Sequence, residues 1–253
     1  MIRALYTAAS GMSAQQLNLD TIANNLANSS TTGFRQLRLE FQDMLYQNLI
    51  TPGAAQSQTT VSAGLQVGLG TRSAATEVIM TQGELNQTNN PLDLAIEGQG
   101  FFAVQTPAGV RYTRDGSFHR TRDGQLVSAA GEPVLSNRNQ PIPLPPGEIS
   151  IGADGAISVG GGTVAVVGVF SFPTGTQLTP EGKNRLVPPA KVQPTVSTSA
   201  SIHQGALEAA NEDVIQGSLD LILMQRQAET MQRALTIFHT EFNKTAAEDL
   251  PRV

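Results

Sequence analysis

The sequence contains no cysteine, which excludes a disulfide framework, a thiol nucleophile and any Cys-ligated zinc. The same absence suits a cytosolic protein, or one exported unfolded into an oxidising space where stray thiols could cross-link. Long apolar runs are missing too. The best candidate, Val164–Phe172, falls far short of the ~20 residues a bilayer requires, so no membrane span is predicted. There is no excess of positive charge: the formal net charge is −5 and the basic residues are scattered, which argues against a nucleic-acid partner. The first residues, "MIRALYTAASGM", are interrupted by polar groups and offer no apolar h-region, so no cleaved signal peptide is expected. Histidine is scarce, and His119, His203 and His239 lie far apart without a metal-ligand spacing.

What is present suffices for a core. Apolar residues make up 40% of the 253, enough for one large domain or two to three small ones. The two ends differ in kind from the middle. Leu5, Met12, Leu19 and Leu26 recur every seven residues, with Ala8 and Ile22 on the adjacent row and Gln15 interrupting it. This a/d-type seam predicts a helix from about Ile2 to Asn28. Near the other end, Val214, Leu221, Ala228, Leu235 and Phe242 form one seven-residue series, and Met224, Met231 and Phe238 form its companion. Asn211, Glu212 and Asp213 are the capping and acidic residues expected at a helix start, so a second helix is predicted over about Glu212–Glu248.

Length bears on what these helices pack against. A compact chain of this size has a diameter of roughly 45 Å, whereas a helix of about 37 residues is roughly 55 Å long. Sustained heptads also define a narrow seam suited to another helix rather than to a broad sheet. Two such helices would leave apolar surface bare unless other copies cover it, so self-assembly is favoured. Within "TIANNLANSSTTGF" (Thr21–Phe34), Asn24, Asn25 and Asn28 flank the seam. They are expected either to hydrogen-bond laterally to neighbouring subunits through their amides or only to end the helix before a turn at Gly33.

The middle reads as β-structure. Most of the 24 glycines fall between Gly64 and Gly182, among the runs "LDLAI", "FFAVQ", "QLVSAA", "EISIG", "AISVG" and "TVAVVGVFSF". Asp115-Gly116, Asp123-Gly124 and Asp154-Gly155 are dipeptides of the kind that close hairpins, and "TRDG" occurs at both Thr113 and Thr121. Thr51–Arg72 is rich in Gly, Ser, Thr and Gln and is expected to be flexible; Pro188–Ser201 is a second polar connector. The "GQGFFA" at Gly98–Ala103 resembles a dinucleotide loop but runs into a strand pattern where that loop requires a helix. The three Asp-Gly pairs are turns, not carboxylate or Ca²⁺ chemistry. No cofactor, metal or enzyme activity is predicted.

Several of these stretches are familiar together. "ANNLANSSTTGF" (Ala23–Phe34) resembles the N-terminal motif of the flagellar axial proteins, the family of rod, hook and hook-associated subunits. "NNPLDLAIEGQGFFAV" (Asn89–Val104), "YTRDGSF" (Tyr112–Phe118), "DGQLVSAAGEPVL" (Asp123–Leu135), "GALEAANEDV" and "MQRQAE" are similar to motifs of its rod and hook branch, in order along the chain. Tyr46–Arg72 most resembles the insertion of the distal-rod members. Departures are Ala210, Asn211 and Glu212, where the family usually has Ser-Asn-Val, the absence of an aromatic near Ala228, and an unfamiliar tail. These keep another rod paralogue as the second reading, with a monomeric β-domain binding module as a third.

The resemblance implies an α+β fold with paired, coiled-coil-like terminal helices and an inserted antiparallel β domain. The expected segments are an axial helix and turn (1–45), an extended segment (46–75), an outer β domain (76–187), a connector (188–210) and a second axial helix with its tail (211–253). It further implies a periplasmic rod polymer exported by the flagellar type III apparatus without signal cleavage. Its partners would be further copies, other rod and hook subunits and the surrounding bushing rings. The expected interface residues are Leu5, Met12, Leu19, Ile22, Asn24, Asn25, Leu26, Asn28, Leu221, Met224, Ala228, Met231, Leu235, Phe238 and Phe242.

Overall fold

The computed structural model describes the backbone of residues 2–45, 47–50, 55–56, 59–60, 65–197 and 199–249. The side chains of residues 2–5, 46–67, 73, 238, 242–243 and 245–249 lie outside the described set. The fold is α+β: two helices, one near each end, with strands between them. The chain divides into two compact units, one of Met1–Asn24, Arg38–Glu77 and Ile215–Val253, the other of Asn25–Leu37 and Val78–Val214.

The first unit holds most of helix α1 (Ile2–Ala27) and of helix α2 (Val214–Asp249). Both are built from Ala, Leu, Met, Gln and Arg, which lose little side-chain freedom in a helix. The helices meet in the antiparallel sense. Ala9 and Met12 line a hollow together with Leu235 and His239, while further along α1 the Gln15 Nε2 donates to the Met224 carbonyl at 3.4 Å. Asn18 Nδ2 lies 3.6 Å from the Met224 sulfur. Gln15, the residue that breaks the apolar row, therefore reaches across to the partner helix.

Between the helices the chain forms a ribbon of strands: β1 (Leu37–Asp43), β2 (Gln47–Ile50), β3 (Ala55–Gln56), β4 (Thr59–Thr60), β5 (Leu65–Val67) and β6 (Thr71–Val78). The pairings nest. β1 pairs with β6, β2 with β5 and β3 with β4. Gln47 faces Val67 and Ala55 faces Thr60, and Met44 N–H donates to the Gly70 carbonyl at 2.9 Å. The nesting is that of a hairpin with irregularities: the register shifts by one residue between Asn48 and Ile50. The expected flexible segment is thus strand-paired where it is described; its residues 51–54, 57–58 and 61–64 lie outside the described residues. Backbone ladders supply order that Gln, Ser and Thr side chains, lacking a core, do not.

The second unit is the β domain. Its strands are β7 (Leu85–Gln87), β8 (Leu94–Glu97), β9 (Phe101–Thr106), β10 (Gly109–Thr113), β11 (His119–Arg120), β12 (Leu126–Val127), β13 (Ile149–Ile151) and β14 (Ala156–Val159). They continue with β15 (Gly162–Val166), β16 (Val169–Ser171), β17 (Thr179–Gly182), β18 (Arg185–Val187), β19 (Thr195–Val196), β20 (Ser201–Gln204) and β21 (Ala206–Glu208). An antiparallel six-stranded sheet runs in the order β17-β18-β10-β9-β16-β19, beside a three-stranded sheet β13-β14-β15 and the pairs β8/β20, β7/β21 and β11/β12. The central strand β9 explains the uninterrupted "FFAV". Phe102 and Val104 enter one core, with Leu94, Ile96, Phe118 and Leu126, while Phe101 and Ala103 enter another, with Tyr112, Phe170 and Leu186. A strand buried on both faces needs no polar alternation.

The two "TRDG" copies diverge. Thr121–Gly124 closes the β11–β12 hairpin, Gly124 N–H donating to the Thr121 carbonyl at 3.1 Å. Asp154-Gly155 likewise turns β13 into β14. Asp115-Gly116 does not close a hairpin, contrary to expectation. Asp115 Oδ1 accepts from Ser117 N–H at 3.0 Å, and a Cβ on Gly116 would stand 1.7 Å from the Leu94 carbonyl oxygen. That glycine permits one backbone to lie against another.

Candidate functional site

There are two candidate sites: the pair of terminal helices in the first unit, and, in the second, the junction where the chain enters and leaves the β domain. On α2 the predicted row shares one face. Leu221, Met224, Ala228, Met231 and Leu235 are half-buried, whereas the intervening residues from Ile222 to Ile237 are exposed. On α1, Met12, Leu19, Ile22 and Leu26 are half-buried. The side chains of Leu5, Phe238 and Phe242 lie outside the described residues.

A second apolar row was not anticipated. Ile215, Leu219, Ile222 and Leu223 on α2 are all exposed, Ile215 to 75%. At about 100° per residue they fall on the side of α2 opposite the seam. Tyr6 and Leu17 stand exposed in the corresponding position on α1. The i, i+4, i+7 spacing of Ile215, Leu219 and Ile222 was legible, but the longer heptad series masked it. From Ile2 to Ala27 the only charged residues are Arg3 and Asp20, unusually few for a helix with so much exposed surface.

The asparagines separate. Asn24 is exposed and Asn28 half-buried; the Asn28 Oδ1 accepts from the Thr31 hydroxyl at 3.4 Å. Asn25 is only 3% exposed. Its Nδ2 donates to the Leu37 carbonyl at 2.8 Å and its Oδ1 accepts from the Leu37 N–H at 2.9 Å. Both ends of the amide are committed within the chain, which corrects the expectation that Asn25 reaches a neighbour. Asn211 is corrected as well. It lies three residues before α2 begins, with its Oδ1 accepting from Gln36 N–H at 2.6 Å and its Nδ2 donating to the Ile79 carbonyl at 2.9 Å. It is a clamp between strand ends, not a helix cap.

Beside it lies a buried charge cluster that the sequence reading missed. Glu208 Oε1 accepts from Arg35 Nη2 at 2.6 Å and from Gly83 N–H at 2.9 Å. Its Oε2 accepts from Arg114 Nη1 at 3.0 Å. Arg114 also donates to the carbonyls of Ile96 and Gly98, with its guanidinium 5.3 Å from the Phe101 ring centre. Burial pushes the Arg114 pKa down and Glu208 opposes that shift. The Glu208 carboxylate, from within "GALEAANEDV", thus ties the residue just after the first motif (Arg35) to "YTRDGSF" (Arg114). Gly33, in the left-handed region at φ 66, completes the joint by donating its N–H to the Glu208 carbonyl at 2.8 Å. Local alternation gave no signal for it: in "GALEAA" the apolar Leu207 claims the buried phase, yet Ala206 and Glu208 are buried and Leu207 is half-buried.

Elsewhere in the β domain Arg111 pairs with Glu181 and Arg185 with Glu132, and His203 Nε2 is hydrogen-bonded to the Glu97 carboxylate. Among the described residues no His, Asp and Glu cluster is arranged to hold a metal ion, and no helix is long and apolar enough to cross a membrane.

The β domain has its entry and exit locked together by Glu208, and the helices carry apolar side chains on two sides. Comparison with known proteins gives the family. Residues 95–159 match the flagellar hook protein FlgE/F/G D1 domain and residues 5–35 the flagella basal body rod protein model. The chain is 37% identical to the flagellar basal-body rod protein FlgG of Buchnera aphidicola subsp. Acyrthosiphon pisum, over 93% of this chain and 95% of the relative. It is likewise 37% identical to FlgG of Borreliella burgdorferi, over 93% of this chain and 94% of that protein. Identity to FlgF of Mesorhizobium japonicum is 35%, over 89% of this chain and 88% of the relative. The chain belongs to the flagellar basal-body rod protein family.

Proposed function

We propose that this protein is a structural subunit of the flagellar rod, polymerising through α1 and α2 into the shaft that crosses the periplasm, with the β domain facing outward. The observation that carries the reading is the pair of apolar rows on opposite sides of each helix. One row serves the packing of α1 with α2, and the other, Leu219, Ile222 and Leu223 on α2, is exposed and suits further copies. In the polymer the helices pair in coiled-coil fashion, with Leu19, Ile22, Leu26, Leu221, Met224, Ala228, Met231, Leu235, Phe238 and Phe242 in the seam. Other rod and hook subunits are the partners at the ends of the polymer, and export proceeds through the flagellar type III apparatus. The FlgG-named relatives support a distal-rod position, and the ribbon between the helices is then the element that stiffens the shaft.

The test is sedimentation of Leu219→Asp and Ile222→Asp, which alter only the outer row. Assembly should be lost while the β-sheet circular dichroism is kept, because an unpaired charge buried at a contact costs several kcal/mol, on the order of 3–5. Assembly like that of the parent chain would refute the reading. Complementation of strains lacking FlgG or FlgF decides the position along the rod.

A further inference from the structure

The ribbon has an open edge. Backbone groups in an antiparallel ladder alternate between facing the partner strand and facing away. On β1 the pattern is fixed at both ends. The Gln36 carbonyl accepts from Ile79 N–H at 2.8 Å, and Met44 N–H donates to the Gly70 carbonyl at 2.9 Å. Even-numbered residues therefore face β6, and odd-numbered ones face away. Leu37 obeys this rule, since its outward N–H and carbonyl are the pair taken by Asn25. The Asn25 amide stands there in the place of a neighbouring strand. Beyond it, the outward groups of Leu39, Phe41 and Asp43 have no partner among the described residues, and Phe41 is exposed.

Open edges are ordinarily defended by charge, proline or a covering element, and an isolated two-stranded ribbon is marginal in water. Here the charges are confined to the β1–β6 part of the ribbon: Arg38 pairs across the ladder with Glu77 at 2.6 Å, and Glu40 and Asp43 on β1 and Arg72 on β6 are exposed, acids on one edge and a base on the other. From Met44 to Thr71 the sequence has no Asp, Glu, Lys, Arg or His. Two copies of the segment can approach without like-charge repulsion.

Resting on the assembly reading above, we propose that the β1 edge, from Leu39 outward, pairs with the β6 edge of the ribbon in a second copy of this chain, so that ribbons of successive subunits join into a continuous sheet. The occupant is a second copy rather than another strand source because each ribbon offers one β1 edge and one β6 edge. Joining β1 to β6 is a head-to-tail contact that propagates, as a polymer demands, whereas β1 to β1 would close at a dimer. Strand addition takes its affinity from main-chain hydrogen bonds and is indifferent to the Gln, Ser and Thr side chains that the ribbon carries.

The experiment is amide hydrogen exchange on the full chain before and after polymerisation. Leu37 is protected in both states by Asn25. The amides of Leu39, Phe41 and Asp43 should exchange at least about ten-fold more slowly in the polymer. A polymer that protects its α2 amides but leaves these three exchanging as in the monomer overturns the inference and leaves the assembly reading standing. Failure to polymerise at all overturns both. Phe41→Pro removes the central outward N–H without touching the inward ladder, and Phe41→Thr keeps it as the control. Polymer from Phe41→Thr but not from Phe41→Pro is expected; equal polymerisation of the two overturns the inference.

Discussion

Glu208→Gln is the most informative single substitution in the β domain. The native carboxylate accepts three hydrogen bonds, from Arg35, Arg114 and Gly83, at a site only 1% exposed. Glutamine keeps the shape but removes the charge and turns one acceptor into a donor. Whichever way the amide is rotated, an NH₂ meets a guanidinium or the Gly83 N–H, and two buried cations lose their counter-charge. Removing one partner of a buried pair costs about 3–5 kcal/mol, against a total domain stability of roughly 5–15 kcal/mol. With a urea m-value of about 2 kcal/mol per molar, the midpoint should fall by roughly 1.5–2.5 M. The assay is urea unfolding followed by far-ultraviolet circular dichroism. Near-ultraviolet dichroism of Tyr112, which is buried edge-on against Phe170 and Phe172, supplies a second probe. Glu181→Gln, at the solvent-facing Arg111 pair, is the control and should leave the midpoint nearly unchanged. The combined variant Arg35→Met, Arg114→Met and Glu208→Met should recover part of the loss, because it removes the charges rather than stranding them. A Glu208→Gln midpoint no lower than that of Glu181→Gln would refute the argument.

Gly116→Ala should destabilise the β domain by on the order of 4 kcal/mol or more, since its Cβ would meet the Leu94 backbone at 1.7 Å; a thermal midpoint close to the parent's would contradict this. Asn25→Ala bares the Leu37 N–H and carbonyl, at a cost of about 1–3 kcal/mol for each buried group left unsatisfied, and Leu37 should lose its protection from exchange. The hydrogen bond from Arg111 holds the Glu181 carboxyl below its usual value of 4.5. A carboxyl lowered by folding stabilises above its unfolded pKa and loses that contribution as pH falls through the folded one. An NMR titration should therefore place Glu181 below 4.5, and Arg111→Gln should return it upward.

The sequence by itself determined the elements whose periodicity is local. Both helices, the row Leu221, Met224, Ala228, Met231 and Leu235, the apolar runs of the β domain and the Gly33 turn were legible, because each rests on spacing within a few residues. The family motifs were legible for the same reason. Tertiary structure alone decided how chemically similar residues differ. Arg114 and Arg122 occupy identical "TRDG" tetrapeptides, yet Arg114 is buried against Glu208 and Arg122 is exposed. Asn24 and Asn25 are adjacent, but only Asn25 meets the Leu37 backbone. Asn211 looked like a cap until strands distant in sequence brought Gln36 and Ile79 to it. Hydrogen bonds and ion pairs between partners 12, 94, 132 and 175 positions apart share no period in the chain, because what selects the partner is the course of the folded backbone and not the spacing of side chains.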